Sequence, residues 1–104
     1  MKLKFPKEIT ILSNRFKMVY DKTHNGGSFS FYKGKITIGI KAYKKDPLYT
    51  LAVISHEIME AILVQQGNRF VNGREEGRYL FNMTHQDFEN AIAIHTELLT
   101  KFIK

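Results

Sequence analysis

The 104-residue sequence contains no cysteine, only ten acidic residues and no long apolar run. Without cysteine the chain can form neither a disulfide framework nor a thiolate metal site, so a zinc ion would need imidazole and carboxylate ligands. No stretch approaches the roughly 18 apolar residues of a membrane span, and residues 1–8 lack the apolar core of a signal peptide. We therefore expect no membrane segment and a cytoplasmic location.

The charged residues are unevenly divided, with sixteen basic and ten acidic side chains and a formal net charge of +6. The basic residues are dispersed along the chain, and a generic basic surface explains them without a nucleic-acid partner. Apolar residues make up 43% of the sequence, as in an ordinary folded globule. The length and composition predict one domain, 1–104, with one modest core.

The pattern of apolar residues and turns predicts an α+β fold, in which a small N-terminal antiparallel sheet precedes two core helices. Lys33-Gly34 is typical of a turn and makes a hairpin of the last two predicted strands. The four strands are expected at residues 9–12, 16–20, 28–32 and 35–40.

Both predicted helices carry capping signals. Asp46-Pro47 favours a helix start, because Asp accepts from free N–H groups and Pro suits the first helical position. Gly67 is typical of the residue that follows a helix. Thr84 followed by Asp87 resembles a capping box at the start of the second helix. The intervening residues 68–83 are expected to form a long polar connection with a short extended piece at 79–81.

The first helix contains the segment His56-Glu57-Ile58-Met59-Glu60. At 100° per residue, His56 and Glu60 lie about 40° apart and one turn above each other, so both can bind one ion. The surrounding residues are apolar, and burying an imidazole and a carboxylate among them is costly unless they are paired or coordinated. The alternative is a His56–Glu60 hydrogen bond or a wet helix edge without metal.

A third ligand is expected from the second helix. His85, at its start, is in line with an apolar stripe formed by Phe88, Ile92, Leu99 and Ile103, and would point towards the core. Two histidines and one glutamate suit zinc with an open fourth position. His95 is the alternative third ligand; it lies near Phe88, Ala91 and Phe102 on the seam, roughly 15 Å further along the helix.

Glu57 projects about 100° away from His56 around the helix. It is therefore not a ligand in this hypothesis but a candidate general base that takes a proton from water. The alternative is a solvated glutamate on a helix edge.

The segment HEIMEAI, residues 56–62, resembles the zincin signature HExxH, with glutamate in the second ligand position and a histidine downstream. The chain is similar to small phage and bacterial proteins related to minimal gluzincins. This resemblance implies a zincin-like fold, a zinc cofactor, metallopeptidase activity and, for a phage protein, the host cytoplasm. It also implies that residues 37–40 form an edge strand beside the cleft, where a peptide can add.

The sequence thus leads to three hypotheses. The first is a zinc-dependent metallopeptidase with a shallow cleft, a peptide or protein substrate, metal ligands His56, Glu60 and His85, and Glu57 as general base. The second is a catalytically inactive zincin-like module that binds a partner protein, for example a phage-encoded modulator of a host protein. The third is a basic nucleic-acid binder, for which the sequence contains no known motif.

Overall fold

The computed structural model describes residues 1–67, 69–71 and 79–104. Within these residues a four-stranded sheet precedes two long helices, which confirms the α+β fold. The elements are β1 (Glu8–Ile11), β2 (Asn14–Asp21), β3 (Gly27–Ser30), β4 (Lys35–Gly39), α1 (Pro47–Gln65), β5 (Arg69–Val71), β6 (Tyr79–Phe81), α2 (His85–Leu99) and a 3₁₀ turn, Thr100–Phe102. The extended piece expected at 79–81 is β6, which pairs with β5. The centre of the predicted connection, 72–78, lies outside the described residues.

The sheet is mixed, with the strand order β1-β2-β4-β3. β1–β2 and the β3–β4 hairpin are antiparallel, as expected, but the central β2–β4 pair is parallel. The chain leaves β2, passes beyond the position of β4 to form β3 at the edge, and returns through the turn at Gly34, whose φ is +58°. β4 is therefore an inner strand, and the expectation that residues 37–40 form the edge is wrong. The strand at that edge is β3.

One face of the sheet packs against α1, and α1 also contacts α2. Alternate residues of the strands and an apolar face of α1 supply this core because strand side chains alternate and helix side chains recur every three to four residues. Fully buried residues include Ile11, Phe16, Ile36, Ile38, Ile54, Ile58 and Ile62. The core thus leaves the His56 side of α1 facing away from the sheet centre.

Contrary to the expectation from the sequence, α1 is long and apolar enough to cross a membrane by length and composition alone. An 18-residue window of this helix has a mean hydropathy of 1.3, and 39% of the window is buried inside the protein. Core helices of soluble proteins have the same property. The apolar length of α1 is therefore explained equally well by its packing on the sheet.

The predicted helix ends are confirmed. The Asp46 side chain accepts a hydrogen bond from the backbone N–H of Tyr49 at 3.1 Å, and Pro47 is the first residue of α1. Gly67, one residue beyond the C-cap, has a φ of +74°, which favours glycine. At α2, Thr84 Oγ1 accepts from the Asp87 N–H at 3.1 Å, and Asp87 Oδ2 accepts from the Thr84 N–H at 3.4 Å.

The buried face of α2 differs from the predicted apolar stripe. Ala91 and Leu98 are buried in the core, whereas Phe88, Ile92 and Ile103 are 50%, 42% and 39% exposed; of the predicted stripe, only Leu99 is partly buried against the core. α2 has apolar residues on two sides. The side that contains the small residue Ala91 is the one packed into the core. The rotation of α2 therefore turns His85 away from the core and His95 towards α1.

Candidate metal centre

His56 and Glu60 lie one turn apart in the middle of α1. His56 Nε2 is 3.7 Å from Glu60 Oε1. Two ligand atoms at adjacent corners of a tetrahedral zinc site, each about 2.0–2.1 Å from the metal, are about 3.3 Å apart. The observed separation is close to that value, so these two side chains fit two corners of a zinc site. The His56 side chain is 67% exposed and that of Glu60 only 15%, so such a site would open to solvent on the His56 side.

Glu57 is buried beside this pair, with a side chain that is 10% exposed. Its Oε2 lies 4.0 Å from His56 Nε2. The backbone of β3 covers the side chain: a Cβ atom added at Gly27 would lie 2.8 Å from Glu57 Cγ. The alternative of a solvated glutamate on the helix edge is therefore wrong.

Two cavities flank His56. The α2-side cavity, of about 530 Å³, is lined by Ala52, Ser55, His56, Met59, Glu60, Leu63 and His95. The β3-side cavity, of about 340 Å³, is lined by Gly26, Gly27, Ala52, Val53, His56 and Glu57. Ala52 and His56 line both cavities. The pair His56–Glu60 and the candidate base Glu57 thus line two neighbouring cavities that share His56.

His95 enters the α2-side cavity from α2 and is anchored by Ser55. Its Nε2 lies 2.7 Å from Ser55 Oγ and 3.2 Å from the Ser55 carbonyl oxygen. A carbonyl oxygen can only accept, so the contact is a hydrogen bond when Nε2 carries the proton. In that tautomer Nδ1 holds the lone pair, and metal-bound histidines commonly donate their other ring N–H to a carbonyl in this way.

His85 does not line either cavity. Its side chain is 84% exposed, and its Nδ1 lies 3.4 Å from Glu89 Oε1 one turn further along α2. His24 lies in the turn after β2, where its Nδ1 is 2.9 Å from Asp21 Oδ2. Of the histidines outside α1, His95 shares a cavity with His56 and Glu60.

In the part of the chain that the structure describes, no group of three or more His, Asp or Glu side chains is close enough to hold a metal ion. The pair His56–Glu60 is assembled, and His95 lines the same cavity without completing a three-ligand group. Binding of one metal ion by all three would require these side chains to come closer together than they lie in the structure.

Two residues of this region were not singled out from the sequence. Ser55 orients His95, and a lone serine before a histidine gives no signal of that. Gly27 lets β3 approach Glu57, and the Gly26-Gly27 pair was an available signal, since glycine permits a close backbone approach.

Comparisons with protein-family models, curated proteins and solved structures gave no match for this chain. The resemblance to small gluzincins therefore stays a prediction from the sequence, based on the short sheet, residues 56–62 and the downstream histidine.

Proposed function

We propose that this protein is a zinc-dependent metallopeptidase of the zincin type, acting in the cytoplasm on a peptide or protein substrate. The observation that carries the proposal is the pairing of His56 Nε2 and Glu60 Oε1 at 3.7 Å, with the buried carboxylate of Glu57 adjacent. Zinc is a suitable metal for imidazole and carboxylate ligands.

The third ligand comes from α2. His85 was the first choice from the sequence, but its exposure of 84% and its pairing with Glu89 give it no contact with either cavity. His95 lines the cavity that His56 and Glu60 share, and its bond to the Ser55 carbonyl leaves Nδ1 able to act as a ligand. The contacts of these residues therefore favour His95 over His85.

The residues around the site have distinct roles in this proposal. A bound zinc ion would supply Lewis acidity towards a peptide carbonyl and towards a water molecule. Glu57 takes the proton from that water as general base, because its carboxylate is held beside His56 by the packing of β3. The substrate occupies the β3-side cavity, which is lined by both His56 and Glu57.

The first test is the zinc content of purified protein after identical mild dialysis. We expect about one zinc per chain in the wild type, and its loss in His56→Ala, Glu60→Ala and His95→Ala. His85→Ala is the matched control, since it removes a histidine from the same helix. We expect Ser55→Ala to weaken zinc binding by about tenfold or more, because the orienting hydroxyl is lost. Zinc lost in His85→Ala and kept in His95→Ala would reverse the choice of third ligand.

The second test separates metal binding from hydrolysis. We expect Glu57→Gln to keep its zinc and to lose about 100-fold or more of any peptidase activity on an unstructured protein substrate, because the amide cannot accept the proton. Unchanged activity in Glu57→Gln would remove Glu57 as the base.

A second candidate function is a catalytically inactive zincin-like module that binds a partner protein. It is favoured by the lack, among the described residues, of an assembled three-ligand group. A wild-type protein that binds no zinc, or that binds zinc and hydrolyses no peptide, would support this alternative.

A further inference from the structure

A third cavity lies away from the candidate metal centre, where the chain leaves β4. It has a volume of about 310 Å³ and is lined by Lys22, Ile40, Lys41, Tyr43 and Lys44. The volume is at the lower end of the range of about 300–1,000 Å³ that is typical of small-molecule sites. Three of the five lining residues are cations and none is acidic, so the cavity is electropositive.

The cavity is built on a hydrogen-bonded frame. The N–H of Ile40 donates to the Asp21 carbonyl at 2.8 Å, and the N–H of Lys41 donates to the His24 carbonyl at 3.1 Å. The Tyr43 hydroxyl accepts from the Leu3 N–H at 3.0 Å, and the Tyr43 ring packs edge-on against Phe5. Ile40 and Tyr43 are therefore held in place as the apolar wall of the cavity.

The lining of this cavity contains three lysines and no carboxylate. From residue 22 to residue 45 the sequence contains six lysines and no acidic residue. Lys22, Lys41 and Lys44 form no ion pair within the described part of the chain. The two carboxylates that flank the stretch are engaged elsewhere: Asp21 accepts from Thr23, and Asp46 caps α1. An anion bound between the lysines would relieve their mutual repulsion.

We propose that this cavity binds a phosphate-bearing small molecule of the nucleotide class. Lysine ammonium groups bind phosphate as point charges, and the wall of Ile40 and Tyr43 offers a surface for an apolar ring. The small volume of the cavity, about 310 Å³, favours a small molecule over a polynucleotide.

The test is a titration of the wild-type protein with ADP, with inorganic pyrophosphate and with adenosine. Binding is monitored by the NMR chemical shifts of the backbone amides. We expect ADP to bind more tightly than pyrophosphate, adenosine to bind most weakly, and the shifts to be confined to residues 40–44 and the neighbourhood of Lys22. The triple variant Lys22→Gln, Lys41→Gln, Lys44→Gln should weaken ADP binding by about tenfold or more. All three side chains are exposed, so the variant should fold.

The matched control is Lys17→Gln, Lys33→Gln, Lys35→Gln, which removes the same charge at the other end of the sheet. We expect it to change ADP binding by no more than about twofold. No binding of ADP, or equal weakening by both triple variants, would overturn the proposal in favour of a diffuse basic surface. Tighter binding of a single-stranded oligonucleotide that depends on both lysine sets would overturn it in favour of a polynucleotide.

Discussion

At the scale of single residues, the candidate base depends on a glycine in a neighbouring strand. A Cβ atom at Gly27 would lie 2.8 Å from Glu57 Cγ, 3.0 Å from Val53 Cγ1 and 3.1 Å from the Thr37 carbonyl oxygen. Real Cβ atoms essentially never approach other heavy atoms within 3.0 Å. The close approach of β3 therefore holds the Glu57 side chain beside His56, and a larger residue would displace it.

We expect Gly27→Ala to lower the free energy of unfolding by about 1–3 kcal/mol, because the methyl group overpacks the contact with Glu57. The cost should fall by about 0.5 kcal/mol or more in a Glu57→Ala background, where Cγ is absent. Urea unfolding of the four proteins of this cycle gives the coupling, and Ser28→Ala on the same strand is the control. Equal costs in both backgrounds would show that Glu57 is not the residue that Gly27 accommodates.

The turn after β2 contains a carboxylate whose pKa is shifted. Hydrogen bonds from the Thr23 hydroxyl and the Thr23 backbone N–H, at 2.6 and 2.8 Å, lower the pKa of Asp21 below its usual value of 3.8. The folded state therefore binds this proton less tightly than the unfolded state, and the bonds add stability above pH 3.8 that is lost as the pH falls below it.

We expect Asp21→Asn to remove this contribution. The free energy of unfolding of the wild type, relative to that of the variant, should rise with pH between about pH 2 and pH 4 and stay level up to about pH 6. Urea unfolding at several pH values measures the difference. A difference that does not depend on pH over this range would contradict the role given to the ionised Asp21.

At the scale of elements, the helix ends were predictable because capping is a local interaction. A side-chain oxygen at the N-cap accepts from an N–H group two or three residues later, so the residues involved are adjacent in the sequence. The capping box of Thr84 and Asp87 and the cap of Asp46 follow this rule. The rotation of α2 follows no such rule, because it depends on which of two apolar sides fits against α1.

Thr84→Ala removes the oxygen that accepts from the Asp87 N–H at 3.1 Å. We expect the free energy of unfolding to fall by about 1 kcal/mol, as is common for the loss of an N-cap. Thr96→Ala is the matched control on the same helix; its hydroxyl donates back to the Ile92 carbonyl at 2.8 Å, and its loss should change the stability by less than about 0.5 kcal/mol. Equal effects of the two substitutions would argue against the capping box.

At the scale of the whole molecule, the two described ends of the chain are paired. Leu3 and Ile103 form an antiparallel bridge, and the Lys4 N–H donates to the Phe102 carbonyl at 2.7 Å. Leu3 is 4% exposed and Phe102 is fully buried. Residues 101–104 therefore close the core beside the N-terminal segment, and they line neither of the cavities that flank His56.

We expect Phe102→Ala to lower the free energy of unfolding by about 3–5 kcal/mol, because it leaves a cavity in the core where the chain ends meet. Phe88→Ala is the matched control, since Phe88 is 50% exposed on α2, and it should cost about 1 kcal/mol or less. Thermal unfolding of both variants checks the difference. Comparable losses would mean that the exposed side of α2 is covered in solution.

The sequence by itself determined the α+β class, the strands and helices, the hairpin turn and the helix ends, because periodicity and capping act between residues close in the chain. It also determined that His56 and Glu60 share a helix face, since helical spacing alone brings them together. The tertiary structure decided the parallel pairing of β2 with β4, the burial of Glu57 under Gly27 and the choice of His95 rather than His85 at the cavity. Each of these depends on how elements distant in sequence pack, where two arrangements with similar apolar patterns differ only in the fit of their side chains.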